Sequence, residues 1–509
     1  MLFELYDPAS TRCVLIGARP AGRDLGAFKA MLWLCDAAGI ALGPPGIDGA
    51  VEAVEVDRQT PDQVAAAVKR FLFSDSKSLP SLLVGEDVQV RAPQRFQATI
   101  AEVQGQLEGL NRVRLTRKAL AFTWQKHVFQ NVAAYCHHRA PASWAGALDG
   151  LPAIVCGAGP SLDVSLPALV KAAGRAVVIS GDSSLALLSS LGVEADFAVS
   201  VDAAKVPGKC LSGAQLPGRV ILSPFSPPAW NEAVPPDRIA YLSNFNLTID
   251  WLAEQGVGRT GVGISESCGS TAIALAHYLG CSPIYLFGID MAANAADPAT
   301  RHHSGVDPSL YQASGYRGDR PCPRVPGNYA PEVSTYLLGD LRALNQRLAT
   351  WPSGLVVNVN DRGARLANTA VVHPADFSLA DPGVAKAPRL EALGAAAGGD
   401  QPAVEAALLR LAQVVVRHSG SVAALHQGPK SPSVADLVGG LRVLFSDPSF
   451  SKVMGAYSLK LVPLLLPPTD QDPSGWAALV NELSELMELA EEAAFAPVDS
   501  FPGQESYLA

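Results

Sequence analysis

The sequence is poor in charge. Asp, Glu, Lys and Arg make up only 17% of its 509 residues, which argues against a chain dominated by long solvated helices. It has no run of Lys or Arg, and its net charge is −9. The electrostatic footprint of a nucleic-acid binder is therefore missing, and no nucleic-acid partner is expected. An anion can still be held locally by backbone N–H groups and a few cations. The eight cysteines, Cys13, Cys35, Cys136, Cys156, Cys210, Cys268, Cys281 and Cys322, are scattered. None forms a C-x-x-C pair and no histidine flanks them at zinc-finger spacing, so they read as buried, reduced thiols of a cytosolic protein. No apolar stretch is long enough to span a membrane. The longest, residues 271–291, is cut by Gly280 and Pro283 and reads as helix, turn, strand. The start, Met1-Leu-Phe-Glu-Leu-Tyr-Asp-Pro8, lacks a basic segment followed by an apolar one, so no signal peptide is expected.

What is present is apolar and punctuated. Hydrophobic residues make up 48% of the chain, with 45 Gly and 39 Pro. That suffices for two to four domains whose buried elements are joined by short connections. No internal repeat is seen. Residues 13–16, 51–56 and 81–84 read as strands, residues 25–35 show helical spacing, and residues 61–73 form an amphipathic helical pattern. These make a small α/β N-terminal domain. From about residue 94 to 139 the pattern is helical, with basic residues on a solvated face.

From residue 151 short apolar runs alternate with helical segments: 153–156, 176–179, 197–201, 219–222, 239–242, 284–287 and 355–359. Such alternation argues for βαβ units and a mostly parallel sheet, in which ligands sit outside the carboxyl ends of the strands. Residues 381–399, rich in Pro, Gly and Ala, read as a linker. Residues 402–418, 433–444 and 475–490 show helical spacing, with an acidic face at 481–492. The expected domains are 1–110, 111–385 and 386–509, the last helical and suited to binding an acceptor protein.

The residues after each strand are the first functional suspects. Gly157-Ala-Gly159-Pro160-Ser161-Leu162 follows a buried-strand pattern and opens a helix, which makes a ready anion site. Gly157 and Gly159 permit positive φ and close approach of a ligand, Pro160 stiffens the turn, and Ser161 can donate to phosphate. Leu162 stands where a dinucleotide fingerprint needs its third glycine, and no G-K-[S/T] follows. An ordinary βα turn is the bland alternative. Asp182, Ser183 and Asp202 follow the next two strands and suit ribose or base contacts, or helix capping. Ser267-Cys-Gly269-Ser270-Thr271 opens another helix with small polar residues. After Gly288-Ile-Asp290 comes a long polar loop carrying His302, His303, Tyr311, Tyr316, Arg317 and other arginines. A loop of that length and composition suggests function. Histidine there can act as a general base, and Tyr or Arg can stabilise a leaving phosphate. The His302–His303 pair has no third metal ligand at recognisable spacing.

Over about half its length the sequence resembles the motility-associated-factor (Maf) flagellin glycosyltransferases, which share a domain with 6-hydroxymethylpterin diphosphokinase-like proteins. The matching segments are Ile154-Val-Cys-Gly-Ala-Gly-Pro-Ser-Leu162, Ser200-Val-Asp202, Cys268-Gly-Ser-Thr-Ala-Ile-Ala-Leu-Ala276, Pro283-Ile-Tyr-Leu-Phe-Gly-Ile-Asp290, residues 302–305, Pro326-Gly-Asn328 and Val357-Asn-Val-Asn-Asp-Arg-Gly-Ala364. The central region is also similar to bacterial CMP-sialic-acid-dependent sialyltransferases with a G-N-G-P-S-L loop. The resemblance implies an α/β fold: a Rossmann-like central domain, a small α/β N-terminal domain and a helical C-terminal domain. It implies inverting transfer of a pseudaminic- or legionaminic-type nonulosonic acid from a CMP-activated donor to Ser or Thr of flagellin, in the cytoplasm before export.

In that picture Gly157, Gly159, Pro160 and Ser161 form the donor-phosphate loop. Asp182, Ser183, Asp202, Ser267, Gly269, Ser270 and Thr271 hold nucleoside and sugar, with Cys268 where the sialyltransferases have Ser. His302, or His303 by a shift of register, is the base beside Asp290. Met291 stands where the related families place an aromatic residue, so leaving-group stabilisation falls to Tyr311, Tyr316 or Arg317. No cofactor is assigned: the CMP-sugar enters as substrate, and a divalent metal such as Mg²⁺ is left open. The competing readings are an ATP-dependent pterin diphosphokinase and a non-catalytic flagellin-binding protein.

Overall fold

The computed structural model describes residues 10–18, 25–43, 45–74, 79–85, 87–88, 94, 96–293, 302–305, 323–379, 383–394, 400–426, 433–461, 465 and 473–495. The chain forms two compact units, 1–120 and 121–509.

The first unit carries four parallel strands, β1 (Arg12–Ile16), β2 (Ala30–Cys35), β3 (Ala50–Glu55) and β4 (Ser81–Val84), in the order β3-β2-β1-β4. Its helices are α1 (Ala37–Leu42), α2 (Pro61–Ser74) and the beginning of α3 (Gln97–His137). The expected helical spacing over 25–35 is corrected here, because residues 30–35 form β2. Met31, Trp33 and Cys35 enter one core while Leu32 and Leu34 enter the other. A strand buried on both faces shows no alternation, and its unbroken apolar run imitates a buried helix.

The second unit is built on an eight-stranded sheet. In chain order come β5 (Ala153–Cys156), α4 (Leu162–Ala173), β6 (Val177–Gly181), α5 (Leu185–Ser190), β7 (Phe197–Ser200), α6 (Pro207–Cys210), β8 (Arg219–Leu222), α7 (Trp230–Ala233), β9 (Ile239–Tyr241), α8 (Leu247–Glu254), α9 (Cys268–Tyr278) and β10 (Ile284–Phe287). A short antiparallel pair, β11 (Arg324–Pro326) and β12 (Glu332–Ser334), precedes α10 (Leu338–Leu348), β13 (Val356–Val359) and β14 (Ala370–Val372). The order is β14-β13-β10-β5-β6-β7-β8-β9, and every pairing is parallel. After β9 the chain returns to the other side of β5. The topological switch point therefore lies between β5 and β10, where open α/β sheets bind ligands. This is the Rossmann-like α/β architecture expected from the sequence.

The helices α11 (Lys386–Ala392), α12 (Gln401–His426), α13 (Val434–Ser446), α14 (Pro448–Val453), α15 (Gly455–Leu461) and α16 (Pro473–Phe495) follow. α11 lies inside the stretch read as a linker. The later helices, expected as a third domain, belong to the same compact unit as the sheet. One apolar cluster joins Ile154 and Cys156 of β5 to Leu411 of α12 and Trp476 of α16. Gln125 of α3, fully buried, ties the parts together: its Nε2 donates to Thr248 Oγ1 and to Val453 O, both at 3.2 Å, and its Oε1 accepts from Ala456 N at 2.8 Å. The other face of the sheet packs Val155 and Leu286 against Ile273 of α9 and Leu344 of α10. The seven described cysteines are free thiols, and only Cys268 is more than marginally exposed. Among the described residues no helix is long and apolar enough to cross a membrane.

Candidate active site

The turn after β5 is laced to the turn after β10. Gly157 N donates to Phe287 O and Gly159 N to Gly288 O, each at 2.8 Å. Ser161 donates twice to the Asp290 carboxylate, from its main-chain N–H at 2.7 Å and from its hydroxyl. Neither Gly157 nor Gly159 takes a positive φ, contrary to the expectation; the left-handed glycine is Gly288, at φ 63. What requires the two glycines is crowding from within the protein. A Cβ on Gly157 would meet Gly288 O at 2.5 Å, and one on Gly159 would meet Asp290 Oδ2 at 2.7 Å.

Asp290 thus takes the place at the start of α4 that suits an anion. It is 3% exposed. Burial pushes its carboxyl up to about 6, against the lowering effect of the Ser161 bonds and of Arg362, with Asp361 adding to the rise.

At the ends of β6 and β7, Asp182 is buried and accepts from Ser200 Oγ (2.8 Å) and Ser183 Oγ (2.9 Å). Burial raises its pKa, and Lys205 chiefly opposes that rise. Lys205 is itself only 5% exposed, with Nζ 3.2 Å from Ser183 Oγ. The sequence reasoning gave Lys205 no role and named Ser200 only within the Ser200-Val-Asp202 motif; a lone lysine shortly after a strand end was the available signal. Asp202 stays exposed and caps its own turn through Ala204 N (2.9 Å).

The start of α9 abuts this group. Ser267 is the N-cap and accepts from Ser270 N at 3.2 Å, while Thr271 Oγ1 accepts from Ser265 N at 3.0 Å. Cys268 Sγ lies 3.7 Å from Asp182 Oδ2. Burial and the carboxylates of Asp182 and Asp202 raise its thiol well above its usual pKa, which disfavours the reactive thiolate. A Cβ on Gly269 would touch Ile289 at 3.0 Å, which places the helix start beside the β10 turn.

Residues 302–305 lie over the start of α4. His303 N donates to Ala158 O (2.9 Å), and Ser304 N donates to both oxygens of Asp163 (3.1 and 3.0 Å). His302 is half-buried and His303 buried. Burial lowers the His303 pKa, and Asp163 partly offsets this. Beyond β13, Ala364 N donates to Asp290 O at 2.8 Å, and the Asn328 amide braces that loop through Arg362 O and Ala364 O. These braces explain the Pro326–Asn328 and 357–364 motifs, to which the sequence reading gave no task.

The structure therefore gathers Gly157–Ser161, Asp182, Ser183, Ser267–Thr271, Asp290 and His303 at one edge of the sheet; Asp202 stands at its exposed rim. Tyr311, Tyr316 and Arg317 lie outside the described residues. Among the described residues no group of three or more His, Cys, Asp and Glu is placed to hold a metal ion.

The family model described as "6-hydroxymethylpterin diphosphokinase MptE-like" matches residues 126–295. That segment is similar to the MptE-like domain. It runs from the end of α3 through the turns after β5, β6, β7 and β10, and stops short of His302. Among solved structures the chain is similar to a Maf glycosyltransferase from Magnetospirillum magneticum AMB-1, at 16% identity and a TM-score of 0.49, over 96% of this chain and 80% of that one. No curated protein matches. The two families are those that the motifs resemble.

Proposed function

We propose that this chain is a glycosyltransferase that moves a nonulosonic acid of the pseudaminic or legionaminic type from its CMP-activated form to Ser or Thr of flagellin, with inversion, in the cytoplasm. The observation that carries the reading is convergence. Segments far apart in sequence, each part of the resemblance, meet at the carboxyl ends of β5, β6 and β10 beside the switch point. The donor phosphate lies beside the turn after β5. Asp182, Asp202 and Ser267–Thr271 position cytidine, ribose and sugar. His302 takes the acceptor hydroxyl proton while that oxygen attacks the anomeric carbon. The bond from that carbon to the phosphate oxygen breaks, and CMP leaves with the electron pair. No cofactor enters the scheme.

A second reading is favoured by the description of the matched family: diphosphoryl transfer from ATP to a hydroxymethylpterin. One experiment separates the two. The purified full chain is given flagellin with CMP-pseudaminic or CMP-legionaminic acid, and separately the pterin with ATP. Release of CMP with a matching gain in flagellin mass is expected. AMP release from ATP and pterin, with flagellin mass unchanged, rejects the first reading.

A further inference from the structure

The surroundings of His303 fix its tautomer. Its main-chain bond to Ala158 O holds it against the turn after β5. Its ring Nδ1 accepts from Gly305 N at 3.1 Å. An Nδ1 that accepts carries no proton, so in the neutral ring the proton sits on Nε2. Burial favours that neutral ring. The Nε2 is buried within a side chain 3% exposed and has no hydrogen-bond partner among the described residues. A buried donor left unpaired is costly, and the cost is recovered when an acceptor arrives.

The turn beneath it is short of donors. The N–H groups of Gly157, Gly159 and Ser161, which a phosphate would use, are committed to Phe287 O, Gly288 O and the Asp290 carboxylate. An anion approaching this turn finds few free main-chain donors, and His303 lies on the Ala158 carbonyl of the same turn.

We propose that His303 is a hydrogen-bond donor, through Nε2–H, to an anionic oxygen of the bound substrate, and that it is not the general base. A base must accept a proton: Nε2 already carries one, and Nδ1 is engaged by Gly305. The proton-accepting role falls to His302. The identity of the substrate rests on the function proposed above, whereas the donor chemistry does not. Two groups of a CMP-nonulosonate offer the required oxygen, the phosphate and the sugar carboxylate.

The test is calorimetric binding of cytidine, CMP and a CMP-nonulosonate to the full chain, for wild type, His303→Ala and His303→Gln, with thermal melting to verify folding. Gln can present an amide N–H near the place of Nε2 and cannot take up a proton at neutral pH. His303→Ala is expected to weaken CMP about tenfold and to leave cytidine within about twofold, and His303→Gln to recover CMP to within about threefold. If only the CMP-sugar weakens, the oxygen is the sugar carboxylate and the inference stands. Equal affinity of wild type and His303→Ala for both anions overturns it, as does a folded His303→Gln as weak as His303→Ala. Should His303→Ala fail to fold, His303→Leu takes its place. If the wild type binds ATP and not CMP, the donor assignment fails, and the inference is decided by the same variants against ATP and adenosine.

Discussion

Asp290→Asn removes a charge and keeps the shape of the side chain. The carboxyl of Asp290 is raised from 3.8 to about 6. Two units correspond to roughly 3 kcal/mol by which burial disfavours the ionised form. Because the folded value is the higher one, the native state holds its proton more tightly than the unfolded chain. This contribution is therefore fully present below about pH 4, is lost as the pH rises to about 6, and stays lost above that. Asparagine does not titrate. Its own hydrogen bonds to Ser161 set a constant offset, whereas the pH-dependent part of the difference reports the buried charge alone. Relative to wild type, the variant should gain roughly 3 kcal/mol between pH 4 and pH 7, with no further change to pH 8. Urea unfolding followed by tryptophan fluorescence at half-unit steps, variant minus wild type, measures this. A flat difference, or one that grows toward acid, would show that Asp290 is not a destabilised buried carboxylate.

Other outcomes follow from the same contacts. Gly159→Ala forces a Cβ against Gly288 O and Asp290 and should cost about 1–3 kcal/mol in urea unfolding; an unchanged midpoint would remove crowding as the reason for that glycine. Lys205→Met takes the cation away from the buried Asp182 and should destabilise by about 2–3 kcal/mol at pH 7. Adding Asp182→Asn should restore much of the loss, and additive losses would deny the pairing. Gln125→Leu leaves Val453 O, Thr248 Oγ1 and Ala456 N with one partner fewer each and should cost about 2–4 kcal/mol, measured by the same unfolding. His302→Ala should abolish sugar transfer while CMP binding stays within about twofold; retained transfer would end the base assignment.

Much of the second unit was legible in the sequence. Strands β5 to β10 alternate with helical segments, and each is short, apolar and followed by turn residues, so periodicity and punctuation agree. β2 was misread because burial on both faces removes the alternation that marks a strand. β14, exposed along much of its length and only three residues long, is too short an apolar run to stand out. The turn after β5 was found by its glycines, although for a different reason than theirs. Pattern alone cannot separate a glycine that admits a ligand from one that admits the neighbouring turn. That distinction needed Asp290, more than a hundred residues away, to be set beside Ser161. Lys205 follows β7 closely, but its burial beside Ser183 and Asp182, some twenty residues earlier in the chain, cannot be read from local pattern.

The cluster that runs from β5 to α16 bears on how the chain can be divided. Leu411, Leu441, Phe450 and Trp476 share one core with Ile154 and Cys156, and Lys452 reaches back to Glu254 at 2.6 Å. A protease nick near residue 395 would therefore leave two fragments that still hold each other, and a chain ending there would expose the apolar flank of α8 and of the last turns of α3. Any exchange of helical tails between similar chains has to carry the matching sheet face with it. Here the tail is half of the wall that holds the strands in place.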